Sequence, residues 1–367
     1  MITFMLFGLF LSIVLLFLHV FVIYTLSEIY NKRDKIIKKL LYIALIKYFS
    51  IYLFIFLVTW LISHILYEIM YIICFVYIGY LVNVLMACLL YKIIIKYIKL
   101  TPSFSKILVL VIPLIITIYS LINSQIIKYQ EETLIYPGYN NTIKIMHISD
   151  IHLGAIYQKS SIENLVKIIN EKNPDVVVIT GDISDGSEKV ESSWLEPFNL
   201  IKENIQVLYI TGNHESLYGK KEILKEIYKI KKIKHIGNND EIVYIKDIAF
   251  IGLDYEYNDI KNKLTYIMDK YELRNKKYPI VLLYHIPKIY LRDLNEIGIF
   301  LMLSGHTHGG QIFPFNIFAW LFNTYFSGLY NYNNKNYVFV STGYGTALVP
   351  MRFLSSKMIG LISIKGS

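Results

Sequence analysis

The sequence predicts a protein in two parts, an all-α bundle of four transmembrane helices followed by an α/β domain. Long apolar runs without charge fill much of residues 1–127, which indicates a membrane domain. Residues 142–367 instead alternate short apolar runs with amphipathic segments, which is typical of strands alternating with helices. Residues 128–141 lie between the two patterns and are expected to form a linker.

The overall composition agrees with a membrane protein. The 367 residues are 54% hydrophobic, and the mean hydropathy of +0.44 is high for an ordinary soluble protein. Most of the net charge of +9 comes from residues 1–127, which contain ten Lys and Arg against three Asp and Glu. Because the basic character belongs to the membrane part, no nucleic-acid partner is expected.

Four apolar runs, at residues 3–27, 40–66, 69–91 and 107–127, each reach the roughly 20 residues that a helix needs to cross a bilayer. Basic residues cluster between the first two runs and again between the last two: Lys32, Arg33, Lys35, Lys38 and Lys39, then Lys92, Lys96, Lys99 and Lys106. The positive-inside rule makes both loops cytoplasmic. The sequence therefore predicts a multi-pass protein of the cell membrane whose second part lies outside the cytoplasm.

The second part has the periodicity of an α/β domain. Strands are predicted at residues 143–149, 175–180, 206–211, 248–253, 280–284, 299–303 and 337–341, and helices at 160–171, 193–203 and 220–230. The early strands alternate with helices, which predicts a largely parallel first sheet. The later strands follow one another more closely, which indicates a second sheet.

Polar residues follow the predicted strands where each one stops, and open α/β sheets bind ligands at these carboxyl ends. They are Asp150, His152, Asp182, Asn213, His214, His285, His306 and His308. At two-residue spacing in extended chain, Asp150 and His152 are expected to project from the same face. A set of Asp, Asn and His without cysteine suits Mn, Fe or Zn better than calcium. The sequence therefore predicts a metal site.

The motifs DIH, GDISD, GNHE, YH and GHTH, in this order, resemble those of the calcineurin-like metallophosphoesterases over residues 142 to about 364. The longer forms SDIHLG and SGHTHGGQ, with a late PMR, resemble the membrane-associated bacterial branch. That branch includes phosphohydrolases of the cell envelope and some UDP-2,3-diacylglucosamine hydrolases. The resemblance implies a four-layer αββα sandwich with two divalent metal ions at its strand ends.

The resemblance also implies a role for each motif residue. One metal ion would bind Asp150, His152, Asp182 and His308, and the other would bind Asp182, Asn213, His285 and His306, with Asp182 bridging. His214 would be the catalytic acid that protonates the leaving oxygen, while Asp185 and Glu215 would orient neighbouring groups. For Arg352, in the PMR motif, two interpretations remain open: its planar guanidinium binds substrate phosphate, or it forms a surface ion pair.

An uncharged, aromatic-rich stretch, IFPFNIFAWLFNTYFSGLY at residues 312–330, directly follows the GHTHGGQ motif. At this length, and with Pro, Asn and Gly inside it, it is a poor fifth membrane span. Two interpretations remain open for this stretch: buried core, or an amphipathic flap that lies on the bilayer beside the site.

The sequence as a whole predicts a membrane-anchored, dinuclear metallophosphoesterase that hydrolyses a phosphoester or pyrophosphate of a lipid or cell-envelope substrate. One alternative is a UDP-2,3-diacylglucosamine-type pyrophosphatase of lipid A synthesis, which would place the site in the cytoplasm. An alternative of another class is a membrane sensor or transporter whose phosphoesterase-like domain only binds a ligand. Membrane lipids are the expected partners, and the sequence leaves the metal identity and the oligomeric state open.

Overall fold

A computed structural model describes residues 2–29, 64–186, 189–237, 241–256, 259–273 and 278–367, together with positions 39, 43 and 47. The chain divides into two compact units. One consists of Met1–Ile122 with Val349–Met351, and the other of Asn123–Leu348 with Arg352–Ser367. The described part of the first unit is mainly helical, whereas the second unit is mixed α/β.

The first unit contains three described helices, α1 (Ile2–Ile29), α2 (His64–Ile94) and α3 (Pro102–Asn123). Among the described residues, two stretches are long and apolar enough to cross a membrane, Tyr71–Ile94 and Pro102–Asn123. They coincide with the third and fourth predicted spans. Helix α1 covers the first predicted span, and the second, at residues 40–66, lies almost wholly outside the described residues.

The second unit is built on two six-stranded sheets. The first sheet has the order β1-β12-β2-β3-β4-β5 and the second β10-β11-β9-β8-β7-β6. The strands are β1 (Ile127–Ile135), β2 (Thr142–Ile148), β3 (Val176–Thr180), β4 (Gln206–Ile210), β5 (Ile233–His235), β6 (Ile242–Ile245), β7 (Ile248–Leu253), β8 (Ile280–Tyr284), β9 (Leu301–Ser304), β10 (Gly328–Tyr332), β11 (Asn336–Val340) and β12 (Lys357–Lys365). Strands β2 to β5 are parallel, and β12 pairs with β2 in the antiparallel direction. The predicted α/β class with a largely parallel first sheet is thus confirmed.

The helices of the second unit are α4 (Lys159–Lys172), α5 (Ser192–Leu195), α6 (Asn213–Tyr218), α7 (Lys220–Ile227), α8 (Ile260–Lys270), α9 (Leu291–Ile297) and α10 (Phe315–Phe322). Of these, α4, α5 and α7 cover the outer face of the first sheet, and α8 and α9 cover that of the second. Strand β2 shows why the layers form, because its alternate side chains enter different cores. Ile143 and Ile145 pack between the sheets with Phe250, whereas Met146 and Ile148 pack beneath the helices of the first sheet. A third core lies between α8, α9 and the second sheet, so the layers run α, β, β, α.

The structure differs from the sequence prediction at the expected linker, residues 128–141. Strand β1 occupies most of that segment and pairs in parallel with β12, from Ile127 opposite Lys357 onward. It is an edge strand with only Leu134 buried, and its exposed face explains the charged, linker-like sequence. Only residues 124–126 therefore separate α3 from the first sheet.

Candidate metal centre

The carboxyl ends of strands from both sheets supply the seven predicted metal ligands. Asp150 and His152 follow β2, Asp182 follows β3, and Asn213 begins α6 directly after β4; His285 follows β8, and His306 and His308 follow β9. Strands β3 and β8 contact each other across the sandwich, as do β4 and β7. The structure therefore brings side chains from distant parts of the sequence to one edge of the two sheets.

Five of these residues adopt a left-handed backbone conformation that side chains other than glycine seldom adopt. They are Asp150, His152, Asp182, His306 and His308, with φ between 51° and 73°. The expectation that Asp150 and His152 project from one face of an extended strand is thus wrong, because β2 ends at Ile148. The amides of Asp150 and His152 instead donate to the carbonyls of Gly181 and Asp182, which fixes the turn after the strand.

One group of ligand atoms gathers around Asp150, His152 and His308, all of which are buried. The Nε2 atoms of His152 and His308 lie 3.0 Å apart. The Nε2 atom of His308 is 3.4 Å from an Asp150 carboxylate oxygen, and that of His152 is 4.0 Å from an Asp182 oxygen. These distances leave the ring nitrogens and carboxylate oxygens converging on one point.

A second group gathers around Asp182, Asn213, His285 and His306. The His285 Nε2 atom lies 3.2 Å from an Asp182 carboxylate oxygen and 3.0 Å from the Asn213 side-chain oxygen. The same Asn213 oxygen is 2.8 Å from Nδ1 of His306. Asp182 lies between the two groups, at the position of the bridging ligand that the resemblance implies. The ligand roles themselves stay predictions.

The arrangement around His285 requires a positive charge. Its Nδ1 donates to the carbonyl of Thr180 at 2.7 Å, so in the neutral ring Nε2 carries a lone pair. That lone pair faces acceptor oxygens of Asp182 and Asn213. Burial alone would lower the pKa of His285. The Asp182 carboxylate instead raises it to about 10, because its negative charge stabilises the protonated ring. A divalent metal ion would satisfy the same three atoms.

The remaining histidines are prepared to bind metal at neutral pH. Burial lowers the pKa of His152 to about 3 and that of His306 to about 4, and it also lowers the pKa of His308 well below its usual value. Neutral rings offer the lone pairs that metal binding needs. Burial raises the pKa of Asp150 to about 6, which reflects a carboxylate short of positive charge. The residues present therefore fit two divalent cations.

Glu215 holds the backbone of the ligand loops. Its buried carboxylate accepts hydrogen bonds from the amides of Asp182, Ile183, Ser184 and Gly212 at 2.6–3.2 Å. It thus ties the loop after β3 to the loop after β4, so its contacts are with backbone rather than with the rings of His152 or His214. Gly212 is required here, because an added Cβ would lie 2.2 Å from an Asp182 carboxylate oxygen.

His214 lies against the first group. Its amide donates to an Asp182 carboxylate oxygen at 2.8 Å, and its ring meets that of His152 edge to face with centroids 4.6 Å apart. The Nδ1 atom lies 2.7 Å from the carbonyl oxygen of Asp185, so Nδ1 carries a hydrogen and Nε2 is the other ring nitrogen available to a substrate. Asp185 orients His214 through its backbone.

Arg352 has neither of the roles that the sequence left open. Its side chain is completely buried, and NH2 of the guanidinium donates to the carbonyls of Thr342 (2.7 Å), Gly343 (3.1 Å) and Gly345 (2.6 Å). The NH1 group donates to the carbonyl of His308 at 3.3 Å. The guanidinium therefore donates to four backbone oxygens, and NH1 also donates to the Ser355 hydroxyl at 3.0 Å, while Nε has no hydrogen-bond partner among the described residues. These contacts clamp the loop after β11 to the ligand loop after β9. The guanidinium binds the protein rather than a substrate phosphate.

Two supporting residues were not singled out from the sequence. Thr180 orients His285 through its carbonyl, and its hydroxyl lies 2.8 Å from Nε2 of the buried His147. Asn316 donates to the carbonyl of Gly309, beside His308, at 2.7 Å. A lone asparagine in an otherwise apolar helix was the signal available for the second of these contacts.

Comparison with known proteins identifies relatives of the α/β unit. Residues 143–310 match the family model described as calcineurin-like phosphoesterase. An uncharacterized metallophosphoesterase of Helicobacter pylori is 34% identical over 239 residues, which cover 65% of this chain and 64% of that protein. A transmembrane protein with metallophosphoesterase domain from Danio rerio is 31% identical over 276 residues, 71% of this chain and 62% of that protein. The match thus spans less than two thirds of either relative.

Proposed function

Because residues 143–310 match the family model of the calcineurin-like phosphoesterases, we propose that the protein is a membrane-anchored phosphoesterase with a dinuclear metal centre. The family match and the two relatives agree with the superfamily assigned from sequence. The activity as a phosphoester hydrolase is part of the proposal. The substrate, the metal pair and the side of the membrane belong to the proposal.

The observation that carries the proposal is the position of Asp182 between two groups of metal-ligand atoms. When bound, two divalent cations bridged by one carboxylate acidify a water molecule and neutralise phosphate oxygens. The protein fixes the geometry in advance, because Glu215 holds the backbone around Asp182 and Arg352 holds the carbonyl of His308. We assign Mn, Fe or Zn to the sites on the basis of their nitrogen and oxygen ligands.

His214 is the proposed catalytic acid. The hydrogen bond from Nδ1 to the carbonyl of Asp185 fixes the ring. In its doubly protonated form His214 would carry the second proton on Nε2, and transfer of that proton to the leaving oxygen would leave the ring neutral. The amide of His214 donates to the Asp182 carboxylate, so the ring is held next to the two groups of ligand atoms. This arrangement couples proton donation to the same loop that binds the metals.

Anchoring in the cell membrane is supported by the apolar helices Tyr71–Ile94 and Pro102–Asn123. In a chain with four spans, the basic loops around residues 32–39 and 92–106 favour a phosphoesterase domain outside the cytoplasm. A domain tethered there meets lipid head groups at high effective concentration. We therefore propose a lipid-linked or cell-envelope phosphoester or pyrophosphate as the substrate.

The direct test is hydrolysis of bis(p-nitrophenyl) phosphate by the purified protein with Mn, Fe or Zn. We expect metal-dependent turnover that is abolished in Asp182→Ala, together with loss of bound metal measured by elemental analysis. Glu203→Ala, which removes an exposed carboxylate of the same domain, is the matched control and should keep both. Near-normal turnover and full metal content in Asp182→Ala would contradict the proposed centre.

The side of the membrane can be tested with reporters fused after Ser367. A reporter that fluoresces only in the cytoplasm should stay dark, and an alkaline phosphatase that folds only outside should be active. The opposite pair of results would favour the UDP-2,3-diacylglucosamine-type pyrophosphatase, because that substrate is met on the cytoplasmic side. A domain that binds metal and phosphate but turns over no phosphoester would favour the sensor or transporter.

A further inference from the structure

Helix α10 presents its apolar side chains to the outside of the domain. Its exposed side chains are Phe315, Ile317, Phe318, Trp320, Leu321 and Phe322, with Trp320 63% and Phe322 82% exposed. The single buried residue of the helix is the polar Asn316. This is the reverse of a surface helix in a soluble protein, which turns its apolar face inward. Of the two interpretations open for residues 312–330, buried core is therefore wrong for this helix.

A second loop adds to the same apolar surface. The Asn316 side chain donates to the carbonyl of Phe353 at 3.3 Å, which places the loop after Arg352 against the base of the helix. The next residue, Leu354, is 68% exposed. We call the six exposed side chains of α10 together with Leu354 the apolar platform. Monomeric soluble proteins seldom expose so many adjacent large apolar side chains unless the surface binds something.

The apolar platform is fixed to the metal centre. Asn316 donates to the carbonyl of Gly309, the residue after the predicted ligand His308, at 2.7 Å. Gly310 packs so closely that an added Cβ would lie 2.3 Å from the Cα atom of Asn316. Since an α-helix with its side chains is about 10–12 Å wide, any surface on which α10 lies is held close to the ligand loop.

The length of chain before the domain points to the occupant of this surface. Only residues 124–126 separate the apolar helix α3 from strand β1, and three extended residues span about 10 Å. The platform has no charged residue, and residues 312–334 contain none. Trp and Phe at the end of a helix are typical of segments that lie in the membrane interface. A lipid bilayer satisfies all of these observations.

We propose that α10 and Leu354 insert into the surface of the lipid bilayer that holds the preceding helices, so that the metal centre acts on phosphoesters carried by lipids. The inference rests on the proposed function and names its substrate class, a lipid head group at the membrane surface. The apolar platform is then a docking surface, and Asn316 is the link between membrane contact and the ligand loop.

Trp320 provides a direct probe of insertion, because the chain has three Trp residues. The full-length protein with Trp60→Phe and Trp194→Phe retains Trp320 alone and can be reconstituted into vesicles of phosphatidylcholine brominated in its acyl chains. We expect the brominated lipid to reduce Trp320 emission to roughly half or less, while aqueous iodide quenches little, as for interfacial helices. The matched control carries Trp320→Phe as well and Tyr266→Trp, on the exposed face of α8.

In the Tyr266→Trp control, iodide should quench the emission more strongly than brominated lipid does. If iodide quenches Trp320 as strongly as it quenches the control and brominated lipid does not, the platform lies in water and the proposal is wrong. If neither quencher reaches Trp320, the platform is covered by protein, either a second copy or another segment of the chain, and the proposal is equally wrong.

A catalytic measurement separates this inference from the proposed function. Trp320→Ser with Phe322→Ser is compared with Leu200→Ser and Tyr228→Ser, two exposed apolar residues elsewhere on the domain. The substrates share one leaving group: bis(p-nitrophenyl) phosphate in solution and phosphatidyl-p-nitrophenol in vesicles. We expect kcat/KM on vesicles to fall about tenfold or more in the platform variant only, with turnover in solution within about twofold of the parent.

The two failures are distinguishable in this design. Equal losses on both substrates would show that the platform supports the fold rather than membrane docking. Absence of metal-dependent turnover on the soluble diester in the unmodified protein would refute the phosphoesterase proposal itself, whatever Trp320 quenching shows.

Discussion

Two buried groups of side chains join the ends of the two sheets, and they neutralise their carboxylates in different ways. At the first, Asp254 after β7 accepts the amide of Thr211 after β4 at 2.8 Å and pairs with Lys220 and His235 at 3.0 Å each. At the second, the metal centre, the described ion-pair partners of Asp150 and Asp182 are all histidines. Only the first junction carries its own lysine.

The difference appears in how each carboxyl group titrates. Burial would raise the pKa of Asp254, but its hydrogen bond with His235 and the nearby Lys220 lower it to about 2. Burial raises the pKa of Asp150 to about 6, and the nearby His285 lowers it only in part. Lysine and histidine already neutralise the Asp254 carboxylate, whereas the described ion-pair partners of the other junction are histidines alone. The second junction is therefore the one at which we propose that divalent cations bind.

Among substitutions at the two junctions, we expect the largest effect to be a loss of turnover. His214→Ala should retain both metals and lose roughly 10²–10⁴-fold in kcat on bis(p-nitrophenyl) phosphate, the usual contribution of a general acid. Metal content and thermal stability are measured alongside. Loss of metal from this variant would make His214 a ligand, which its proximity to His152 and Asp182 also allows.

The next largest effect is expected from replacing the Glu215 carboxylate, which accepts hydrogen bonds from the backbone of the ligand loops. Glu215→Gln places an amide NH₂ against backbone N–H groups, and each buried donor left unsatisfied costs about 1–3 kcal/mol. We expect the melting temperature to fall by roughly 5 °C or more, with weaker metal binding. Glu163→Gln, on the exposed face of α4, is the control and should melt like the parent. If the melting temperature and the metal binding of Glu215→Gln equal those of the parent, the ligand loops keep their conformation without this carboxylate.

Arg352→Lys tests the clamp. A lysine keeps the charge but cannot reach the carbonyls of Thr342 and His308 together, because its three donors share one nitrogen. We expect a loss of stability of about 2 kcal/mol and weaker metal binding, with KM for the soluble diester unchanged at saturating metal. A raised KM without any change in melting temperature would restore the phosphate-binding role that the sequence suggested.

The smallest effect is expected at the Asp254 junction. A carboxyl group whose pKa falls from about 3.9 unfolded to about 2 folded stabilises the protein above pH 4, by an amount on the order of 2 kcal/mol. That stability is lost as the pH falls through 2. Asp254→Asn should lower stability at pH 7 and remove this part of the acid dependence, as measured by urea unfolding at pH 7, 4 and 2.5. An acid dependence identical to that of the parent would contradict the assigned pKa.

The predicted ligand positions were accessible from sequence because each motif is local. Asp182 follows an apolar strand and a glycine, and His306 and His308 follow another, so the carboxyl ends of strands could be located without knowing the fold. The left-handed turn at Asp150 could not, because it depends on hydrogen bonds to the loop after β3. The role of Arg352 was hidden for the same reason: its acceptors come from loops that meet only in the folded chain.

Strand β1 shows what periodicity cannot reveal. Its sequence, IKYQEETLI, has no clean apolar face, because it is an edge strand and packs little of itself into the core. Its partner β12 lies at the other end of the domain sequence, so no local pattern links them. Helix α10 is the opposite case, in which the apolar run was evident and only the structure could say which way it faces.

The pairing of β1 with β12 has a consequence for how the chain is made. Contacting residues in this pair are separated by about 230 positions, so the first strand to leave the ribosome must wait for the last. In the sheet, β12 lies between β1 and β2, and until it arrives β1 has no neighbour there. Synthesis proceeds at about 5–20 residues per second, which leaves the edge of β2 open for ten seconds or more, roughly. During that interval the nascent domain exposes a strand edge, and an exposed edge is a template for pairing with another chain.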